Sequence, residues 1–376
     1  MNTNIRKAPL VTLADALKAQ QTRALDVVVP AQELLSDGGL YVVRGSETIL
    51  TADGVSNADG LYVPTDAAEG QVAEKLDIPV KYLRRMREAG ALDLYDFNVN
   101  GWLSRDERSF LVRLLRADGD ADTGIGTLRA LLSNGYRTID NFDVLLASLQ
   151  GIRDAGVVDP QITADLTDRR MYVTVVAPQI KAYAPELLKG YRSPFTGEVD
   201  PEGTVFAGFK LTNSETGHGS MSLTPYIEVL ICRNGQTIGK AVREVHIGQK
   251  LDDGVIKVSD ETRETNAKLI RSHTRDAVAT FLDAEYVTAR LREMEAAAGV
   301  KVSDPQRTIK DVSQRLGFTQ SQADSILNMF IDGGQRTAGG VMQAVTATAQ
   351  TLESGDDADM FERKAMQALE IAASLR

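Results

Sequence analysis

Few side chains in this chain combine the types and spacing that chemistry demands, and most of them fall in GFKLTNSETGHGSMSLTPYIEVLICRNG, residues 208–235. It carries His218, one of three histidines, and Cys232, the sole cysteine, with His246 and His273 downstream. His218, Cys232 and His246 stand 14 and 14 residues apart. Zinc takes such ligands, but no close CxxC or HxxxH pair is present, so no metal is expected. A Cys–His nucleophile pair requires an exposed thiolate of lowered pKa beside an imidazole. Cys232 instead ends the apolar run YIEVLIC, where a free cysteine serves as a small apolar side chain. No GxSxG elbow offers a serine nucleophile. The segment otherwise reads as strand, turn, strand. Asn213, Ser214 and Gly217 are turn formers, because Asn and Ser bond their own backbone and Gly accepts positive φ. Asn234-Gly235 suits a tight hairpin of the type I′ kind. Glu215 and His218 are left without a structural role.

Two other stretches suggest chemistry. In DGDADTGIG, Asp118, Asp120 and Asp122 alternate as in a calcium loop. Thr123 and Arg129 stand where that loop needs Gly and a bidentate Glu. A phosphate loop would need a following GK[ST], which is missing, so a solvated loop is expected. The stretch 67–90 reads as two helices split at Ile78-Pro79, with Pro79 in the first turn of the second. Leu83 and Met86 point inward, and Arg84, Arg85 and Arg87 point out. It has the look of a helix-turn-helix, and the plainer reading is a helical hairpin with a solvated basic face.

The elements that must carry these residues segregate along the chain. A short helix lies in LADALKAQQTRAL, strands in 39–64 (GLYVVRG, GLYVPTD), the helix pair follows, and then SFLVRLL as a strand. MYVTVVAP, TVFAGFKLTN, SMSLTPYIEVLICRNG and QTIGKAVREVHIG read as further strands, and 180–200 as a loop-rich segment. From Ser259 to Gly299 the period changes to 3.6. Ser259 and Gly299 serve as caps, which predicts one long helix of about 58 Å. TIKDVSQRLGFTQSQADSILNMF, GGVMQAVTATAQTLE and ADMFERKAMQALEIAASL continue as helices. The predicted fold is α+β: a mainly antiparallel sheet mid-chain, a long helix packed on it, and an all-helical last third. The expected divisions are 1–100, 101–300 and 301–376.

Composition bounds the function. The chain has 376 residues, a net charge of −10 and one cysteine. No intrachain disulfide is available, no basic domain advertises a polyanion partner, and no apolar run of 18 residues offers a membrane span. A cytoplasmic protein is expected.

RALLSNGYRTIDNFDVL (129–145), LTNSETGHGSMSLTPYIEVLICRNG (211–235), HIG (246–248) and GGVMQAVTATA (339–349) occur in that order. With AEKLDIPVKYLRRM and NGWLSR, the set resembles a phage- and plasmid-borne family known as domain of unknown function nine hundred and thirty-two, over roughly residues 60 to 350. Arg233 stands where the family commonly has Thr, and Gly135 where a charge is frequent. The motif positions are Arg129, Ser133, Tyr136, Arg137, Asp140, Asn213, Ser214, Glu215, His218, Asn234, Gly235 and His246. The resemblance implies a phage or prophage protein in the host cytoplasm, among replication and recombination functions.

Two principal function classes follow. The first is a non-catalytic single-stranded DNA-binding or annealing protein, oligomeric and without cofactor, acting with phage recombination proteins. It would hold the strand in a groove of Lys181, Lys189, Tyr191, Arg192, Lys210, Arg233, Lys240 and Arg243, by ring stacking and backbone charge. The second is an enzyme that handles a phosphate or nucleobase with the Arg, Tyr, Glu and His motif residues. A virion or scaffold protein is a third reading, with the helical last third supplying assembly contacts.

Overall fold

A computed structural model of the chain describes residues 4–44, 49–51, 54–117, 124–136, 139–231, 233, 235–238, 241–244, 254–255 and 260–375. The first half of the chain runs β1 (Ile5–Pro9), α1 (Leu10–Arg23), β2 (Ala24–Pro30), a 3-10 turn, β3 (Leu35–Asp37), β4 (Leu40–Val43), β5 (Ile49–Thr51), β6 (Gly54–Ser56) and β7 (Gly60–Pro64). It continues with α2 (Asp66–Lys75), α3 (Val80–Glu88), α4 (Leu92–Leu103), β8 (Ser109–Leu115), β9 (Gly126–Ser133) and α5 (Asn141–Asp154). Then come β10 (Gln161–Leu166), β11 (Met171–Tyr183), β12 (Thr204–Asn213), β13 (Met221–Val229), β14 (Gly235–Thr237), β15 (Val242–Glu244) and β16 (Gly254–Val255). The chain closes with α6 (Asp260–Phe281), α7 (Ala284–Ala298), α8 (Pro305–Leu316), α9 (Gln320–Gly333), α10 (Ala338–Thr351) and α11 (Gly355–Ser374).

Among the described residues, the strands form two large sheets and one hairpin, β5–β6. The central sheet runs β1-β10-β11-β12-β13-β14, with β15 also on β13, and is antiparallel throughout. The N-terminal sheet runs β16-β2-β8-β9-β7-β4-β3, with one parallel pair, β7–β9. It takes strands from both sides of residue 100. The antiparallel mid-chain sheet and the helical last third make this the α+β architecture that the sequence predicts.

Alternation along the strands decides which face is covered. Val173 and Val175 of β11, Phe209 and Leu211 of β12 and Leu223 of β13 point onto Leu13 and Leu17 of α1, Val144 of α5 and Ile270 of α6. Gly151 lets α5 and α6 touch, since a Cβ there would stand 2.7 Å from the Arg271 carbonyl. The opposite face of the central sheet meets α11. In the N-terminal sheet, Tyr41, Tyr62, Val112 and Leu131 pack against Val72, Leu83, Met86, Tyr95 and Val99 of α2–α4. A third core joins α7–α11 to the end of the central sheet.

Three local expectations change. The helix predicted across 259–299 is two helices. Asp283 accepts from the Tyr286 amide at 2.8 Å and starts α7; a side chain that satisfies a free N–H competes with helix continuation. Each half then serves a different core, Val278 and Phe281 in one and Val287 and Leu291 in the other. The segment 180–200 is partly strand, because β11 runs to Tyr183 after an irregularity between Ala177 and Lys181 that accommodates Pro178. The pair at 67–90 is α2 and α3, and Pro79 stands at the N-cap of α3 rather than inside its first turn. The acidic loop at 118–123 lies outside the described residues.

Candidate functional site

β12 ends at Asn213, and the loop 214–220 leaves the central sheet to lie on the N-terminal one. Gly217 makes that approach possible. Its φ is +80°, and a Cβ would stand 2.5 Å from Leu132 Cδ2 on β9. Turn chemistry builds the loop itself. Ser214 Oγ accepts from the His218 amide at 2.8 Å and donates to the Arg169 carbonyl at 2.7 Å. Thr216 Oγ1 reaches the Asp168 carbonyl at 3.1 Å and lies 3.3 Å from His218 Nδ1. Arg170 Nε donates to the His218 carbonyl at 2.8 Å. Burial pushes the His218 imidazole below its ordinary pKa, and Arg169 adds to that, which favours the neutral ring.

Between the two sheets, the loop meets a cluster of charge. Arg113, in the middle of β8, is 2 % exposed. It donates to Asp26 on β2 at 2.9 Å, to Asp140 at 2.6 Å and to the Glu215 carbonyl at 2.7 Å. Burial opposes its charge, but Asp26 and Asp140 outweigh that and hold it protonated. The Glu215 carboxylate pairs with Arg129 of β9 and accepts from the Asn141 amide at 2.9 Å. It thereby caps the positive end of α5, a site that favours an anion. Asn213 Nδ2 donates to the Ile139 carbonyl at 3.0 Å and to Asn141 Oδ1 at 2.8 Å. Tyr136 donates to the Ser214 carbonyl at 3.1 Å, and burial raises its phenol to about 12. Gln71 of α2 bridges the Thr216 carbonyl, at 2.6 Å, and the Leu131 amide, at 2.9 Å.

Arg129, Tyr136, Asp140, Asn213, Ser214, Glu215 and His218 thus converge, but into a joint between two sheets. The void that Arg113, Arg129, Asp140 and Glu215 help to line is about 20 Å³, the room of one water molecule. Its polar groups are turned on one another. Ser133 closes β9, exposed, and accepts from the Tyr136 amide at 3.0 Å. Gly235 opens β14 beneath the Tyr226 ring, where a Cβ would collide with the hydroxyl. Arg137, Asn234, Cys232 and His246 lie outside the described residues. Among the described residues, no group of three or more His, Cys, Asp or Glu side chains is placed to hold a metal.

The groove residues scatter. Lys210 is buried between Asp359 and Glu362 of α11, with Asp359 at 3.3 Å. Burial opposes its charge, and Glu362 and Asp359 together hold it protonated. Tyr191 is buried against Gly333 of α9. Neither can meet a ligand from outside, because the strand and loop that carry them turn those side chains into the third core. Lys181, Lys189, Arg192 and Arg233 are exposed, Lys189 in an ion pair with Glu186 at 3.0 Å. Arg243 belongs to β15, opposite Ser222, and Lys240 lies outside the described residues. Arg113, Gln71 and Arg170 are the joint's unforeseen members. Arg113 had one visible signal, a lone cation in the apolar run SFLVRLL.

Comparison with protein-family models, with curated proteins and with solved structures finds no match to this chain.

Proposed function

We propose that this chain is a non-catalytic single-stranded nucleic-acid-binding protein. In this reading it belongs to a phage or plasmid lineage, works as a homo-oligomer in the host cytoplasm and serves recombination. One observation carries the reading. The end of β11 and the loop after it leave Tyr183 58 % and Phe195 47 % exposed, in the same stretch as the exposed Lys181 and Arg192. Rings that stack on bases and cations that follow the phosphates give sequence-tolerant binding. The loop is folded rather than slack: Ser193 accepts from Gly197 and donates to the Glu198 carbonyl, both at 2.9 Å, which holds Phe195 at the tip of a turn. The ordered motif set supports the lineage, and among the described residues no helix is long and apolar enough to cross a membrane. Against the enzyme alternative, Arg129, Tyr136, Asp140, Asn213 and Glu215 of its candidate site turn their polar groups into the joint between the sheets.

Anisotropy of a labelled oligothymidylate strand, titrated with the full chain, tests this. Binding that weakens as salt rises from about 50 to 200 mM is expected. No binding at the low-salt end would refute the reading.

A further inference from the structure

The charge around Phe195 leaves something to explain. Glu186, Glu198, Asp200 and Glu202 share that loop with Lys189 and Arg192, so its cations are offset and a strand held there alone is held weakly. The α3–α4 hairpin differs. α3 carries Lys81, Arg84, Arg85 and Arg87 against a single Glu88. Arg87 and Arg84 lean on the buried Glu69, at 2.7 and 3.7 Å. Lys81 and Arg85 are exposed and form no ion pair among the described residues. The hairpin also keeps three rings in solvent: Tyr82 is 40 %, Phe97 77 % and Trp102 54 % exposed.

The packing of the hairpin sets where these rings lie. Asn98 meets Met86 across the helix pair, at 3.9 Å from its sulfur, and Arg87 lies over the Tyr95 ring at 4.7 Å. Tyr82 stands one turn before Met86 and Trp102 one turn after Asn98, which brings both rings to the same end of the hairpin. Asp96 of α4 is turned inward onto the amides of Gly38 and Gly39 at 2.6 and 3.0 Å. The exposed carboxylates of the hairpin, Glu88 and Asp93, stand beside its connecting turn, away from the end that carries Tyr82 and Trp102.

We propose that the α3–α4 hairpin is the principal single-stranded nucleic-acid contact of this protein, with Lys81 and Arg85 on the phosphates and Tyr82, Phe97 and Trp102 stacking on bases. This rests on the function proposed above and places its main contact on the hairpin, with the loop around Phe195 as the weaker one. Cations interleaved with rings fit a polyanion with flat faces. The buried core of a protein interface is instead depleted in lysine.

Trp102 is the only tryptophan of the chain, so its emission reports on this face alone. The experiment titrates the full chain with oligothymidylate and reads tryptophan emission and the anisotropy of a labelled strand together. Emission should change in step with anisotropy and return with added salt. Phe97→Ala should weaken binding about fivefold or more, the low end of what one lost stacking partner costs. Arg85→Ala should reduce the slope of log affinity against log salt by about 0.7. Circular dichroism of each variant separates lost folding from lost contact. Salt-dependent anisotropy with unchanged emission and wild-type affinity in both variants would overturn this proposal and leave the proposed function standing. No binding by either readout would remove both. Emission that changes with protein concentration alone, alongside a sedimenting dimer, would make the face a contact between copies and overturn the proposal. Tighter binding of duplex than of single strand, insensitive to Phe97→Ala, would also overturn it.

Discussion

The Arg113 guanidinium donates to the main-chain carbonyl of Glu215 at 2.7 Å across 102 residues of sequence, and so fastens the N-terminal sheet to the loop that ends the central strand of the other. Arg113 has Asp26 and Asp140 as its counter-charges, and the Glu215 carboxylate turns to Arg129 and the start of α5. The joint is made of paired charges, so that removing one leaves its partners uncompensated.

Removing the central cation should show this. Arg113→Met leaves Asp26 and Asp140 without their shared partner and should cost about 3–5 kcal/mol of stability, the range for breaking a buried pair from one side. Urea unfolding of wild type and variant measures it. A loss below about 1 kcal/mol would place the joint's strength elsewhere.

Gly217 is required for two reasons, its positive φ and its distance from Leu132. Gly217→Ala should destabilise by about 1–3 kcal/mol. The double variant with Leu132→Ala should lose less than the sum of the two single changes, because truncating Leu132 removes the clash. Strict additivity in the same unfolding assay would contradict the close contact.

Lys210 separates a structural cation from a binding one. Lys210→Met leaves the buried Glu362 without its cation and Asp359 with Arg363 alone, at 2.8 Å, and should cost about 3–5 kcal/mol. The folded variant should bind oligothymidylate with wild-type affinity. A lower affinity at equal folded fraction would return Lys210 to the binding surface.

These residues also show what the sequence can and cannot tell. Turn chemistry is local, so Asn213, Ser214 and Gly217 announce a turn, and the apolar runs of β11 to β13 announce strands. The sheets meet through contacts that no window contains. Lys210 looks like a strand cation because its partner Asp359 lies 149 residues away. Arg113 looks like a misplaced charge until β2 and the 214–220 loop are beside it. Between α6 and α7 the apolar period continues almost unbroken, and only Asp283 marks the break. The convergence of Arg129, Tyr136, Asp140 and Glu215 follows from motif order plus fold. Their burial against one another does not.

Glu228 gives a pH dependence. Burial pushes its carboxyl up to about 7, with Glu362 adding to the effect and Arg233 opposing it. The folded chain keeps this proton where the unfolded chain has released it. The group's contribution to stability therefore falls as pH rises from about 4.5 to about 7 and is level above that. Glu228→Gln removes the titration. The variant should melt higher than wild type near pH 8, with the gap closing near pH 5 as both forms become neutral. A melting difference that does not vary with pH would contradict this.

Single strands held by charge and stacking, as proposed for this chain, leave their mark on the salt slope of oligothymidylate binding to the full chain. Log affinity should fall linearly with log salt, by about 0.7 for each phosphate contacted, and the slope should be shallower in Lys181→Ala and Arg192→Ala. A flat salt response, or affinity no better than about millimolar at about 50 mM salt, would contradict it.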